Sequence, residues 1–307
     1  MTYPLTIAIP TYNRAKYLVR ALSCIEKQTG IEKIEILISD NHSTDETFET
    51  LTQFKKRIPN FNYVINEKNM GMSFNISQAF DKANGDYVWI MGDDDYLYDN
   101  AIEKVLSIIQ NKSNIGVIYC SSIPNSPQKK EIIVENESKD FFKQFHYWAT
   151  FLSSNIINKA IIRHTIDPYR FKETLLPQLN WVIPAVFKGE INIILNGSIF
   201  GYQADNTGGY QLTKVFGKDY LNILKELKKT GSPKEVIRIT FENLFKSFFP
   251  NFVNKLLYSK NDFVEENHFE ILLIIGWSYY SFWRYIFPIY LKFLIKKYLI
   301  NFKTNKG

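Results

Sequence analysis

Over the first 95 residues, short apolar runs alternate with segments of helical periodicity, and each apolar run ends in a cluster of polar side chains. Thr6–Pro10 reads as a first strand. It is followed by Thr11-Tyr-Asn-Arg14 and a helix on which Leu18, Leu22 and Ile25 share one face. Ile34–Ser39 reads as a second strand and runs into Asp40-Asn-His-Ser-Thr-Asp45, which is rich in helix-capping types. Tyr63–Asn66 reads as a third strand, leading through Asn69-Met-Gly71 to a helix from about Ser73 to Ala83. Tyr87–Met91 reads as a buried strand that ends in Gly92 and then Asp93, Asp94 and Asp95. This alternation predicts an α/β fold, a mostly parallel sheet flanked by helices on both faces. Ligands of such sheets bind beyond the carboxyl ends of the strands. Pro10–Arg14, Asp40–Asp45 and Asp93–Asp95 are therefore expected on one rim, as one site.

The three consecutive carboxylates carry the chemistry. They repel one another, and no basic residue lies between them. A divalent cation would neutralise them, and hard oxygen donors select Mg²⁺ or Mn²⁺, ions commonly shared with substrate phosphates. The other reading of the same residues is an acidic turn that caps the next helix.

Taken together, Pro10-Thr-Tyr-Asn-Arg14, Ser39-Asp-Asn-His-Ser-Thr-Asp45, Asn69-Met-Gly71 with Asn75, and Gly92-Asp-Asp-Asp95 resemble the inverting family 2 glycosyltransferases of the GT-A (Rossmann-like) fold. The resemblance covers about the first 120 residues. The Ser-Asp-Asn and Gly-Asp-Asp-Asp variants are most similar to the abequosyltransferase-like branch of bacterial surface-polysaccharide enzymes. The resemblance implies a nucleotide-diphospho-sugar donor and Mn²⁺ or Mg²⁺. Pro10, Thr11, Tyr12 and Arg14 would border the nucleotide. Asp40, with Asn41 beside it, would accept a hydrogen bond from the base, since uracil and thymine N3–H are donors and a carboxylate is an acceptor. Asn69, Gly71 and Asn75 would let backbone approach the nucleotide, glycine being permissive there. Asp93 and Asp94 would face the donor, and Asp93, Asp94 and Asp95 are the metal candidates. Asp94 falls on the family's usual metal anchor, whereas Asp93 and Asp95 form the literal Asp-x-Asp pair. Glycine stands at 92, where many members carry the first aspartate, so the carboxylates that touch metal stay open at this point.

The second half departs from the family. Many members place an acidic pair before a helix as catalytic base. The matching stretch here is Leu175-Leu-Pro-Gln-Leu-Asn-Trp-Val182, with Gln178 where a carboxylate is expected. An amide cannot take a proton from a sugar hydroxyl at neutral pH. The base is then expected among nearby residues: Glu173 first, just ahead of the matching helix, and Asp205 second, in Asp205-Asn-Thr-Gly-Gly209, with Asp167 and His164 behind them. Ser153-Ser-Asn155 resembles the family's acceptor-side strand.

Composition frames the rest. Forty-five per cent of the 307 residues are apolar, enough for a sizeable core. Cys24 and Cys120 sit in apolar settings and read as reduced thiols of a cytosolic protein. No basic region followed by an apolar run opens the chain, so no signal peptide is expected. Pro124–Glu137, polar and charged, reads as a loop over the site. The division expected is 1–212 for the catalytic domain and 213–307 for a helical extension. In the latter, Ile271–Trp283 is uncharged and strongly aromatic, and six basic residues with no acidic ones follow from Arg284 to Lys306. Thirteen uncharged residues are too few for a membrane span, which needs about 20. The pattern suits a helix lying in a membrane interface, and Pro288 is expected to kink or restart it. The competing reading is a helical cap or dimer interface, which would make the chain a homo-oligomer. The tail accounts for the net charge of +6, so nucleic-acid binding is not invoked.

The function expected is transfer of a sugar, of the hexosyl class, to a hydroxyl of a glycan or lipid-linked glycan in lipopolysaccharide or capsule synthesis. The place expected is the cytoplasmic side, peripheral on the inner face of the cell membrane. Two rivals stand beside it. A nucleotidyltransferase would carry an early Gly-rich basic loop, and Pro10–Arg14 contains no glycine. An inactive membrane-bound glycan-binding protein is encouraged by Gln178. A dinucleotide oxidoreductase is disfavoured, since no Gly-x-Gly-x-x-Gly follows the first strand.

Overall fold

A computed structural model describes residues 2–121, 130–197, 199–201, 211–229, 234–258 and 267–304, with 297–304 described by backbone alone. The chain divides into two compact units, Met1–Asn206 and Thr207–Gly307.

The first unit is built as the alternation predicts. In chain order come β1 (Tyr3–Thr11), α1 (Ala15–Ile25), β2 (Glu35–Asp40), α2 (Thr47–Lys55), β3 (Phe61–Ile65), α3 (Met72–Lys82), β4 (Gly85–Ile90), β5 (Tyr96–Leu97) and α4 (Ala101–Asn111). They are followed by β6 (Ile115–Ser121), β7 (Ile132–Glu135), α5 (Ser138–Phe145), β8 (Asn155–Asn158), α6 (Leu179–Lys188), β9 (Ile191–Asn196) and β10 (Phe200–Gly201). Eight strands form one sheet in the order β3-β2-β1-β4-β8-β6-β9-β7, and β5 and β10 pair separately. The strands β3, β2, β1 and β4 run parallel. β8 is inserted antiparallel between β4 and β6.

Alternating strand side chains feed two cores. On one face Ile7, Ile9, Ile36, Ile38, Trp89 and Ile118 pack with Leu18 and Leu22 of α1, Leu51 and Phe54 of α2, and Ile102 and Val105 of α4. α3 and α6 meet through Phe80 and Trp181, whose rings stack at 4.4 Å. This packing fixes the strand ends, and the site depends on them.

One loop expectation is revised in part. Ile132–Glu135, inside the stretch expected as a loop, is an edge strand antiparallel to β9. Its short length and flanking charges are what an exposed sheet edge tolerates. Residues 122–129 lie outside the described residues. Cys120 is buried, whereas Cys24 is only half-buried.

The second unit contains α7 (Tyr220–Lys229), α8 (Lys234–Asn243), α9 (Phe249–Tyr258), α10 (His268–Gly276) and α11 (Phe287–Thr304). The aromatic run is not one helix, since α10 ends at Gly276. Pro288 neither stops the chain nor leaves an orphan end: the helix continues through it after a π-helical turn at Phe282–Ile286. The same device precedes Pro250, where Leu244–Phe248 is π-helical. A proline ring clashes with the carbonyl four residues back and offers no N–H, and a wider turn relieves both. Among the described residues no helix is long and apolar enough to cross a membrane.

Candidate active site

The carboxyl ends of β1, β2 and β4 lie side by side, because Thr11 pairs in register with Asp40 and Ala8 with Ile90. Short polar side chains then knit the loops together. Asn13, held at φ 52°, receives the Thr44 N–H on its Oδ1 at 2.7 Å and donates its own N–H to Ser43 Oγ at 2.8 Å. Asp45 accepts the N–H of Ala15 at 3.0 Å and of Thr47 at 3.1 Å, so one carboxylate caps the starts of both α1 and α2. Burial works to raise its pKa, but the Thr47 hydroxyl and the backbone donors hold it below the usual value.

Asparagines tie in the third loop. Asn41 donates to Asn69 Oδ1 at 2.7 Å and accepts from Asn66 and from the Met70 N–H, both at 2.9 Å. Asn75 is buried and donates to the carbonyls of Ser39 at 2.8 Å and Thr11 at 3.3 Å. Asn41 and Asn75 thus brace the rim from beneath. Gly71 takes φ 87°, a conformation that side chains resist, and an added Cβ there would meet open space. Asp40 is buried, with Oδ1 accepting the Ser43 hydroxyl at 2.6 Å and its N–H at 3.1 Å. The Tyr12 ring is exposed on the same loop as Thr11.

The acidic cluster is held from two sides. Thr11 donates to Asp93 Oδ2 at 2.8 Å, and Arg14 lies 3.2 Å from Asp93 Oδ1 and 3.0 Å from Asp94 Oδ2. The lack of a basic residue within the cluster is therefore answered from 80 positions earlier in the chain, a correction to the charge argument. Both Asp93 oxygens are engaged, and the residue is buried. The Ser153 hydroxyl donates to Asp95 Oδ2 and accepts the Gly92 N–H at 2.9 Å. The Trp89 indole pins the Ser153 carbonyl at 2.8 Å. Glycine at 92 has a direct reason. A Cβ there would stand 2.8 Å from Asp94 Oδ1 and 3.0 Å from Asp95 Oδ2, so the two carboxylates fold back over Gly92 and a side chain there would displace them. Burial pushes Asp93 up to about 7, against the pull of Arg14 and Thr11. Burial also pushes Asp95 up to about 6, against the Ser153 hydrogen bond.

A carboxylate that is harder to ionise folded than unfolded costs stability once it ionises. For Asp95 the folded state is unpenalised below about pH 4 and loses stability as pH rises to about 6. Asp95→Asn, which can still accept from Ser153, is expected to raise the melting temperature above pH 6 by the equivalent of at most about 3 kcal/mol, with little gain at pH 4. Thermal melts of both proteins across pH 4–8 measure this, and a gain that does not depend on pH would contradict the assignment.

The structure separates the base candidates. The segment after β8 runs along α3. The Tyr169 ring packs at a tilt against Phe74, with centroids 5.1 Å apart, and its hydroxyl donates to Asp81 at the far end of that helix. Asp167 is tied up by local contacts, its carboxylate accepting the Tyr169 N–H at 2.9 Å and its carbonyl the Asn180 amide at the start of α6 at 2.6 Å. His164 follows Arg163 near Lys159, whose ammonium binds the carbonyls closing α3, also away from the rim. By contrast, Ser73, at the rim end of α3, donates to the Thr174 carbonyl, which brings neighbouring Glu173 to the rim with its side chain exposed. Asp205 lies outside the described residues. Gln178 is buried at the start of α6 and donates to the Thr150 carbonyl at 2.6 Å. That partner is an acceptor, so the position demands a donor and a carboxylate would be repelled.

Asn13 and Ser43, which lie inside the quoted motifs, Asn66 at the end of the third strand, and Ser153, read only as part of the acceptor-side strand, had no role assigned to them by sequence, and here they hold the rim loops and the acidic cluster in place. Their signal was present in the sequence as small polar residues at strand ends, within or next to the motifs.

A parallel sheet whose strand ends gather an acidic cluster and a second buried carboxylate has the architecture of the GT-A glycosyltransferases. The chain belongs to glycosyl transferase family 2, whose model matches residues 6–168. It is 36% identical over 116 residues to abequosyltransferase RfbV of Salmonella typhimurium, covering 36% of this chain and 34% of that one. It is 31% identical over 138 residues to the GalNAc(5)-diNAcBac-PP-undecaprenol beta-1,3-glucosyltransferase of Campylobacter jejuni, covering 45% of this chain and 41% of that one. The match thus spans between a third and two fifths of those relatives. Among solved structures the fold is similar to S. aureus TarS 1-349 in complex with UDP, with a TM-score of 0.62, 16% identity, and coverage of 85% of this chain and 76% of that one. It is also similar to the mannosyltransferase PcManGT of Pyrobaculum calidifontis in complex with GDP-Man and Mn²⁺, with a TM-score of 0.57, 13% identity, and coverage of 97% and 88%.

Proposed function

We propose that the chain is an inverting glycosyltransferase that moves a hexosyl group from a nucleotide-diphospho-sugar to a hydroxyl of a glycan or lipid-linked glycan, in bacterial-type surface-polysaccharide synthesis. The observation that carries the reading is the convergence of Asp94 and Asp95 over Gly92, beside the buried Asp40, on one rim of the sheet.

Asp40 accepts the N3–H of the donor's base, its carboxylate oriented by Ser43. Tyr12 and the backbone around Gly71 border the nucleotide. Among the described residues no group of three or more His, Cys, Asp or Glu makes a ready-built metal centre. Two converging carboxylates nonetheless match the hard-donor chemistry of Mn²⁺ or Mg²⁺, which take their remaining ligands from diphosphate and water. Asp94 and Asp95 are the residues that would hold the ion, and Asp93 is the buried brace between Thr11 and Arg14. Bound there, the ion supplies charge neutralisation to the departing diphosphate. Glu173 takes the proton from the acceptor hydroxyl, whose oxygen attacks the anomeric carbon from the face opposite the nucleoside diphosphate.

The second unit brings the enzyme to the cytoplasmic face of the membrane. Trp277 and Tyr280 are each about two-thirds exposed, and the Trp283 indole donates to the Trp277 carbonyl at 2.8 Å. Arg284 donates to the Tyr280 hydroxyl at 3.0 Å. Amphipathic rings beside a cation favour the headgroup layer.

Titration calorimetry with UDP, GDP and dTDP, each with Mn²⁺ and with EDTA, tests the donor assignment. One nucleotide is expected to bind in the presence of metal. Asp40→Ala is expected to weaken that binding about tenfold, the loss of one good hydrogen bond to a buried carboxylate, with the melting temperature little changed. Normal binding with a lowered melting temperature would make Asp40 a loop-fixing residue only.

A further inference from the structure

A cavity of about 550 Å³ lies within the second unit, between the helix that runs from the π-helical segment Lys214–Asp219 into α7 and the facing α10. Its volume falls in the range of about 300–1,000 Å³ usual for small-molecule sites. Lys214, Lys218 and Lys225 line it, spaced so that one helix face presents all three. The opposite wall comes from Ile271, Ile274 and Ile275. One carboxylate, Glu270, lines the cavity, and Asp219 is close enough to Lys214 and Lys218 to feel their charge. The lysines therefore outnumber the acids around the cavity. Ile274 is about two-thirds exposed, and the exposed Trp277 follows one turn later.

We infer that this cavity binds the headgroup phosphate of an anionic membrane lipid, with the isoleucine wall taking the first carbons of its chains. A free anion would be served by the lysines alone and would give Ile271 and Ile274 nothing to bury. A neutral apolar ligand would leave three ammonium groups facing it. An amphiphile with a phosphate head matches both halves. Residues 207–307 as a whole carry 16 Lys and Arg against eight Asp and Glu, which draws the unit to an anionic leaflet before the cavity engages. The inference rests on the membrane-surface reading above, and it is independent of which sugar is transferred.

Flotation of the full chain with vesicles tests it, using phosphatidylcholine alone and phosphatidylcholine mixed with phosphatidylglycerol. The variant Lys214→Gln/Lys218→Gln/Lys225→Gln is compared with Lys229→Gln/Lys234→Gln/Lys246→Gln, which removes the same charge from exposed positions that line neither the cavity nor the basic tail. The cavity variant is expected to lose on the order of 100-fold in affinity for phosphatidylglycerol vesicles and the control variant far less, with both melting like the wild type. Ile274→Asp should weaken vesicle binding as well. Equal losses in the two triple variants would show diffuse attraction and overturn the cavity as a site. Binding of every protein to both vesicle types alike would also overturn it while sparing the membrane reading, and no vesicle binding by the wild type would remove both. If inorganic phosphate raises the melting temperature of the wild type but not of the cavity variant, and vesicle binding is unchanged between them, the site takes free phosphate and the lipid assignment is wrong.

Discussion

Replacing Asp94 and Asp95 together by alanine is expected to abolish metal-dependent nucleoside-diphosphate binding and to lower sugar transfer by about 10³-fold or more, the scale of losing several kcal/mol of charge stabilisation. The expectation rests on geometry beyond the acidic spelling. Asp94 Oδ1 and Asp95 Oδ2 each lie about 3 Å from the position a Cβ on Gly92 would take, and carboxylates on one side of a glycine repel one another unless a cation or proton offsets them. In this structure Arg14 offsets part of that charge. Arg14→Ala should therefore behave differently from the double variant. It leaves the carboxylates in place but less neutralised, so it should increase the dependence on added Mn²⁺ and lower stability in its absence. Calorimetry and transfer assays over a Mn²⁺ titration separate the two. Unchanged nucleotide affinity in the double variant, with metal still required, would move the metal away from this cluster.

The rim itself was legible in the sequence because a parallel sheet places every strand's carboxyl end on the same side. Once Thr6–Pro10, Ile34–Ser39 and Tyr87–Met91 are read as strands, the three polar clusters must meet. What holds them in place was not legible. Arg14 reaches Asp93 and Asp94 across 80 residues, and no local spacing encodes that contact. The antiparallel entry of β8 beside β4 puts Ser153 on Asp95, and the strand is only four residues long, too short for its alternation to signal direction or neighbours. The aromatic tail misled in a different way. Its composition is uniform, but Gly276 and the π-helical turn divide it into separately packed pieces. Gln178 shows the limit most clearly. Read as a missing carboxylate it suggested lost catalysis, whereas its partner, the Thr150 carbonyl, gives the amide a reason of its own.

That reason leads to the sharpest kinetic expectation. Glu173→Gln is expected to lower kcat by on the order of 10²–10⁴-fold with donor affinity nearly unchanged, because a general base acts in the transition state and contributes little to nucleotide binding. Glu173 is exposed and makes no capping bond, so the variant should melt like the wild type, and a loss of rate cannot be put down to unfolding. Gln178→Glu should not rescue it. A carboxylate at 178 would point a lone pair at the Thr150 carbonyl, in a buried position where only its protonated form could donate. The rescue variant is expected to be less stable above neutral pH and no more active. Steady-state transfer rates, with donor binding measured separately, decide among the outcomes. Full activity of Glu173→Gln together with inactivity of Asp205→Asn would transfer the role to Asp205. Nucleotide binding by the wild type with no transfer to any glycan acceptor, and no effect of either substitution, would favour the non-catalytic glycan-binding reading. In that case the rim would be a donor site that binds without reacting, and the amide at 178 would be one sign of it.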